Sequence, residues 1–268
     1  MTLDVLICTC RNDGIERVAR MALPEVEGVR YVVSWQLPER RFSVELPEAL
    51  QRKDISVYVT DSIGLSRNRN NAMAHAVADI CLIADDDLNY TEEQLLAVKT
   101  TFEQDESLDI AAFKYECSAD GKMYPKEECD LRRMCKGWYL TSFELAFRRK
   151  SIGDLRFNEL FGLGASVLEA GEECVFLYSA LKRGLRGRFF PIVITRHDGP
   201  TTGVRRVAEP GILMSKGAYL YVAHRPTAIL RIVLNAWREK RAGRMTFWHA
   251  FRHTWRGMMY AYHMGVKG

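Results

Sequence analysis

The sequence predicts an α/β fold, a mainly parallel central sheet flanked by helices. Two observations carry that prediction. Strand-length apolar runs, Leu3 to Thr9, Val29 to Gln36, Ile55 to Thr60 and Ile80 to Ala84, are interleaved with helix-like segments, an order that builds parallel sheets. Three of the runs end in polar turns: Cys10-Arg11-Asn12-Asp13-Gly14, Asp61-Ser62-Ile63-Gly64 and Asp85-Asp86-Asp87. Ligands in open α/β sheets sit just outside such carboxyl ends.

Ile80 to Asp87 holds the most chemistry. If extended geometry continues past Ala84, Asp85 and Asp87 share one side and Asp86 takes the other. Carboxylates held together raise each other's pKa or recruit a cation, and hard oxygen ligands suit Mg²⁺ or Mn²⁺ carrying a phosphate. The alternative is a solvated acidic turn before the helix that starts near Thr91.

The bulk numbers narrow the class. At 268 residues and 47% hydrophobic, the chain has enough apolar material for a core, in one large domain or two small ones. Val5 to Ile7 is too short for a signal-peptide core and no segment reaches the length of a membrane span, so the expected location is the cytoplasm. Seven cysteines without paired CxxC spacing predict reduced thiols, and the irregular spacing of Cys117, Cys129 and Cys135 argues against zinc. A net charge of +4 is small for a nucleic-acid binder.

Taken in order, the first strand and its polar turn lead to a helix from about Ile15 to Met21. After the third strand, Gly64-Leu65-Ser66-Arg67-Asn68-Arg69-Asn70-Asn71 opens a helix through Ala72 to Ala78. A helix from Thr91 to Gln104, with Leu95, Leu96, Val98 and Phe102 as its stripe, precedes a strand at Ile110 to Tyr115. Gly121 to Cys135 is a polar excursion. Trp138, Tyr139 and Phe143 lead into a strand-like run, Glu144 to Phe147; core packing is assigned to Phe143, and Trp138 is left open. Gly171-Glu172-Glu173 opens a helix from Cys174 to Lys182, where acids are favoured by the helix dipole whatever else they do. A strand at Phe189 to Thr195 ends in Arg196-His197-Asp198, and the Gly- and Thr-rich sequel with Arg205 and Arg206 reads as a closing loop. Leu220 to Trp237 and Met245 to His263 are helical patterns that mix aromatics with arginines. They suit either an anionic membrane surface or packing on the domain or on a second subunit.

This ordered set resembles the GT-A fold glycosyltransferases, family 2: an N-terminal strand with a polar turn, an Asp after a later strand, Gly64-x-x-x-x-Arg69-Asn70, and a strand ending in Asp85-Asp86-Asp87. The resemblance implies that Asp85 to Asp87 is the Asp-x-Asp motif, with Asp87, Asp85 and His197 as ligands of Mn²⁺ or Mg²⁺. Thr9, Cys10, Arg11, Asn12 and Asp61 fall where the family grips the nucleotide, and Gly64, Arg67, Arg69, Asn70, Asp85 and Asp86 where it meets the rest of the donor. Glu172 and Glu173 replace the family's usual Glu-Asp pair, with Glu173 in the place of the base.

It further implies a GT-A catalytic domain at 1–211, with a nucleotide-sugar half at about 1–90 and an acceptor half at about 91–211, and a basic, aromatic helical extension at 212–268. The expected activity is that of an inverting, metal-dependent glycosyltransferase using a nucleotide diphosphate donor, most simply UDP-linked. The acceptor would be a hydroxyl of a glycan or lipid-linked molecule in bacterial surface polysaccharide or glycoconjugate synthesis, with peripheral attachment to the inner membrane face and a homo-oligomer as further expectations. The rivals are a nucleotidyltransferase, which would carry a Gly-rich basic loop where Thr9 to Gly14 stands, and a non-catalytic sugar-nucleotide or membrane-binding module.

Overall fold

The computed structural model describes residues 1–38, 45–116, 122–133, 139–197 and 206–266. Within them the chain runs β1 (Leu3–Cys10), α1 (Arg11–Arg20), β2 (Val29–Gln36), β3 (Ile55–Thr60), α2 (Leu65–His75), β4 (Ile80–Asp85), β5 (Leu88–Asn89), α3 (Glu92–Gln104), β6 (Ile110–Glu116), β7 (Cys129–Asp130), β8 (Leu145–Arg148), α4 (Arg149–Ile152), α5 (Glu172–Lys182) and β9 (Gly187–His197). Three helices follow: α6 (Pro210–His224), α7 (Ala228–Arg241) and α8 (Phe247–His263). The expectations for Cys117, Cys135, Trp138 and Asp198 to Arg205 concern residues outside those described.

Contacts divide the chain into two compact units. The first comprises Met1–Ile63, Arg67–Leu155 and Arg183–Gly199, the second Gly64–Ser66, Arg156–Lys182 and Pro200–Gly268.

The first unit is built on one sheet in the order β3-β2-β1-β4-β8-β6-β9-β5, with β7 on β9. From β3 to β4 the pairing is parallel, as the alternating pattern predicts. Beyond β4 it is mixed: β8 inserts antiparallel between β4 and β6, while β6 and β9 pair parallel. The expected side-chain period of two holds: Val5 and Ile7 of β1, Tyr31 and Val33 of β2 and Leu82 of β4 share a core with Ile15 and Val18 of α1 and with Leu95, Val98 and Phe102 of α3. Thr91 caps α3 by accepting from the Gln94 amide, and the Gln94 side chain accepts in return from the Thr91 amide.

Two local expectations are corrected. The first helix starts at Arg11 rather than Ile15, because Arg11 takes φ +63° and turns the chain sharply off β1, its carbonyl accepting from Trp35 Nε1 at 2.8 Å. The helical pattern read through Leu220 to Trp237 is two helices, broken at Arg225–Thr227, where Pro226 can neither donate to nor fit inside a continuous helix.

The second unit packs α6 and α8 with α5 around Phe161, Leu168, Val175, Ala218, Val222 and Ala261, while α7 joins them through a separate cluster of Ala228, Ile232 and Met258. Glycines set the α6–α8 approach. A Cβ at Gly217 would run into the Thr254 carbonyl, and one at Gly257 into the Met214 carbonyl, so the two backbones meet where only glycine fits.

Candidate active site

Parallel pairing aligns the strands' carboxyl ends. Cys8 pairs with Asp85, Cys10 with Gln36 and Gln36 with Thr60, so the start of α1 and the segments that follow β3 and β4 share one edge of the first unit. β4 ends at Asp85; Asp86 and Asp87 form the turn into β5, which corrects the expectation of an extended run through all three.

Each aspartate finds a different partner. Asp85 faces the buried guanidinium of Arg69, whose Nη2 donates at 3.1 Å to Asp85 and at 2.6 Å to Ser142 Oγ. Burial pushes the Asp85 carboxyl above its ordinary range, against the pull of Arg69 and with the added push of Asp87. Asp86 accepts from Thr9 Oγ1 at 2.5 Å and from Arg17 Nε and Nη2 at 3.2 and 2.9 Å. Asp87 lies 3.4 Å from His197 Nε2 and is the most exposed of the three. Burial alone would raise its pKa, but His197 and Arg17 together hold it below the ordinary value.

Thr9, Asp85, Asp86, Asp87, Arg69 and His197 are thus drawn into one neighbourhood of the first unit. Asn68 joins them by donating from Nδ2 to the Thr9 carbonyl at 2.8 Å. Arg69 serves as the fixed countercharge of Asp85. Cys10 and Asn70 are half-buried, and Arg11, Asn12, Asp61 and Arg67 are exposed. Beside Asp61, Gln36 Nε2 donates to Ser62 Oγ at 2.9 Å.

A short turn that sequence reasoning assigned to packing and strand braces this neighbourhood. Residues Ser142–Glu144 form a single 3₁₀ turn. Ser142 holds Arg69; Phe143 stacks on His197 with centroids 5.6 Å apart; buried Glu144 accepts from Lys122 Nζ at 2.7 Å and Tyr124 OH at 2.6 Å. The Lys122 ammonium also lies over the rings of Tyr115, Tyr124 and Tyr139 at 4.9, 5.1 and 4.3 Å. Arg17 is the other unforeseen member. Its spacing of four from Asp13, to which it donates at 2.7 Å, is a helix-face signal readable in the sequence; its reach to Asp86 is not.

Asp87 and His197 offer one oxygen and one nitrogen donor. Among the described residues no cluster of three metal-ligating side chains forms. Two protein ligands fit a hard cation that takes its remaining positions from phosphate oxygens and water. Asp85 belongs to this set only to the extent that a cation competes with Arg69.

Gly64, Glu172 and Glu173 belong to the second unit. There Gly171, at φ +82°, turns the chain into α5, and the two glutamates occupy its first turn. Glu172 is buried, and a Cβ at Gly162 would come within 3.3 Å of its Oε2. Glu173 is half-buried and accepts from the Cys174 thiol at 3.3 Å.

Comparison with known proteins gives the same outline. Residues 41–162 match the family model described as Glycosyl transferase family 2. Among solved structures, S. aureus TarS 1-349 superposes with a TM-score of 0.57 at 15% identity, covering 99% of this chain and 92% of that one. The same protein in complex with UDP-GlcNAc gives 0.57 at 14% identity and the same coverages, 99% and 92%. The mannosyltransferase PcManGT from Pyrobaculum calidifontis, in complex with GDP-Man and Mn²⁺, gives 0.54 at 14% identity, covering 98% of this chain and 76% of that one. No curated protein matches the sequence significantly.

Proposed function

We propose that the chain is a family 2 glycosyltransferase of the GT-A fold that moves a sugar from a nucleoside diphosphate, most simply UDP, to an acceptor hydroxyl with inversion. One observation carries the reading. Of three consecutive carboxylates at the end of β4, two are neutralised by arginines, Asp85 by Arg69 and Asp86 by Arg17, while Asp87 stands with an imidazole. That arrangement fixes the turn and presents one carboxylate with one nitrogen donor, a pair suited to a cation carrying a diphosphate.

In this reading Asp87 and His197 hold Mn²⁺ or Mg²⁺, which when bound would stabilise the charge growing on the departing diphosphate. The β1–α1 junction at Thr9 to Asn12 and the residues around Asp61 bind the nucleotide. Thr9 and Arg17 keep Asp86 in place. Glu173 takes the acceptor's proton, and Glu172, buried against the Gly162 turn, orients the helix start that carries it. Bacterial surface polysaccharide or glycoconjugate synthesis is the setting proposed, with a glycan or lipid-linked acceptor and a place on the cytoplasmic side of an anionic membrane, reached through residues 212–268. Among the described residues no helix is long and apolar enough to cross a membrane. A homo-oligomer is part of the same proposal and awaits a mass measurement.

The test is a thermal-shift panel of UDP, UDP-GlcNAc and GDP-Man with and without Mn²⁺, because a ligand that binds only the native state raises its melting temperature. Asp87→Ala is expected to melt as wild type without ligand and to lose the Mn²⁺-dependent shift. An unchanged shift would remove Asp87 from the site, and no shift with any nucleotide would remove the donor.

A further inference from the structure

The outward face of α7 is apolar where a surface helix is ordinarily polar. Its buried residues are Ala228, Ile232, Asn235, Ala236 and Glu239. At 3.6 residues per turn these occupy one side, and Ile229, Leu230, Val233, Leu234 and Trp237 span an arc of roughly 140° on the opposite side. All five are open to solvent, Leu230 at 60%, Ile229 at 56% and Trp237 at 51%. Scattered exposed leucines are normal; five on one stripe of one helix are a patch that marks an interaction surface.

The charge around the patch says what covers it. Arg231, Arg238, Lys240 and Arg241 are exposed on the same helix, with the Arg241 guanidinium over the Trp237 ring at 5.2 Å. From Pro210 to the C-terminus Glu239 is the only acid, and it is buried against Lys216 Nζ at 3.2 Å and Arg244 Nε at 2.5 Å. The patch therefore has basic residues within and beside it and no exposed acid. A second copy docking through the same face would set arginine against arginine across an apolar contact, whereas a surface of anionic headgroups over acyl chains complements both features.

We propose that this face of α7 lies in the interface of an anionic lipid membrane, with Ile229, Leu230, Val233, Leu234 and Trp237 entering the headgroup–acyl boundary and the four cationic side chains meeting lipid phosphates. The inference deepens the membrane part of the reading above. It assigns attachment to α7 alone, while α6 and α8 close on each other through Gly217 and Gly257.

The experiment uses the full chain and co-sedimentation with large vesicles of phosphatidylcholine, with and without a minority of phosphatidylglycerol. Wild type is expected to pellet with the anionic vesicles, to stay in solution with the neutral ones, and to be released as salt is raised. Leu230→Glu with Trp237→Glu, both at exposed positions, is expected to abolish pelleting with the melting temperature and the UDP shift unchanged. Arg231→Gln, Arg238→Gln and Arg241→Gln are each expected to weaken binding by roughly fivefold. Wild type that ignores anionic vesicles, or a double variant that pellets as wild type does, overturns the proposal. So does a wild-type dimer in size exclusion that the double variant converts to monomer without any vesicle binding, which would give the face to a second copy. A wild type that binds vesicles but shows no nucleotide shift would leave α7 as the docking face and overturn the donor reading instead.

Discussion

Phe143 stacks on the imidazole of His197, their centroids 5.6 Å apart and their planes 17° from parallel. The edge of Tyr115 closes on the same ring at 6.3 Å. A histidine so clamped has its Nε2 held toward Asp87, which would lower the ordering cost of binding the proposed cation.

Phe143→Leu keeps an apolar side chain at a buried position and removes the stacking plane. We expect a stability loss of about 1 kcal/mol, in the range of volume-tolerant core exchanges. The larger effect falls on the metal: the Mn²⁺-dependent part of the UDP thermal shift shrinks while the shift from UDP alone stays. Equal loss of both parts would make Phe143 a packing residue only.

Gly14 offers a prediction in which two effects oppose one another. It lies inside α1, where replacing glycine by alanine ordinarily gains about 1 kcal/mol. A Cβ there would run into Thr9 Oγ1 and approach Asp86 Oδ2 at 3.3 Å, breaking the hydrogen bond between them. Hydrogen bonds to charged groups contribute about 1.5–3 kcal/mol, so the loss outweighs the helix gain and Gly14→Ala is expected to destabilise. In a Thr9→Ala background the clash is absent and the same change should be neutral or stabilising. Urea melts of the four proteins in this cycle decide the matter through the sign of the coupling.

That residue also marks how far the sequence could be read. The apolar runs and their polar ends were legible because strand period and turn chemistry are local. Val29–Gln36 and Ile55–Thr60 are strands over those residues and the aspartates stand at a strand end. Gly14 read as part of a turn because glycine is common there; its real constraint is the Thr9 hydroxyl, five residues back and across a strand–helix junction. Arg17, Ser142 and Glu144 were illegible as site residues for the same reason. Their partners are 69, 73 and 22 positions away, and nothing in local composition encodes which strand end a long side chain will reach. The antiparallel insertion of β8 was hidden likewise, since strand direction follows from connections and not from apolar pattern.

The second unit has its own pH dependence. Burial tends to raise the Glu239 carboxyl, but Arg244 and Lys216 hold it below its ordinary 4.5. A carboxyl depressed in the folded state adds stability that is fully present above 4.5 and is lost as pH falls through its lower folded value. Glu239→Gln is therefore expected to melt below wild type at neutral pH, with the gap closing as the medium is acidified below about 4.5. Melting curves across that range check it. A gap constant with pH would assign the loss to packing rather than to charge.

The proton acceptor is the last link. Two carboxylates open α5, and both gain from the helix dipole, so position alone does not choose between them. Their surroundings do. Glu172 is 5% exposed and wedged against the Gly162 turn, where a group that must exchange a proton with an incoming hydroxyl has little room. Glu173 is half-buried, fixed on one side by the Cys174 thiol at 3.3 Å. In the proposed reading it is the proton acceptor, and a positioned base contributes about 10²–10⁴ in rate. Glu173→Gln keeps size and hydrogen bonding and removes the charge, so transfer should fall by that factor while the UDP and Mn²⁺ thermal shifts stay as in wild type. Glu172→Gln should lower the melting temperature more than it lowers turnover per folded molecule. The reverse pattern, full activity in Glu173→Gln and none in folded Glu172→Gln, would transfer the role to Glu172, and full activity in both would remove base catalysis from α5 altogether.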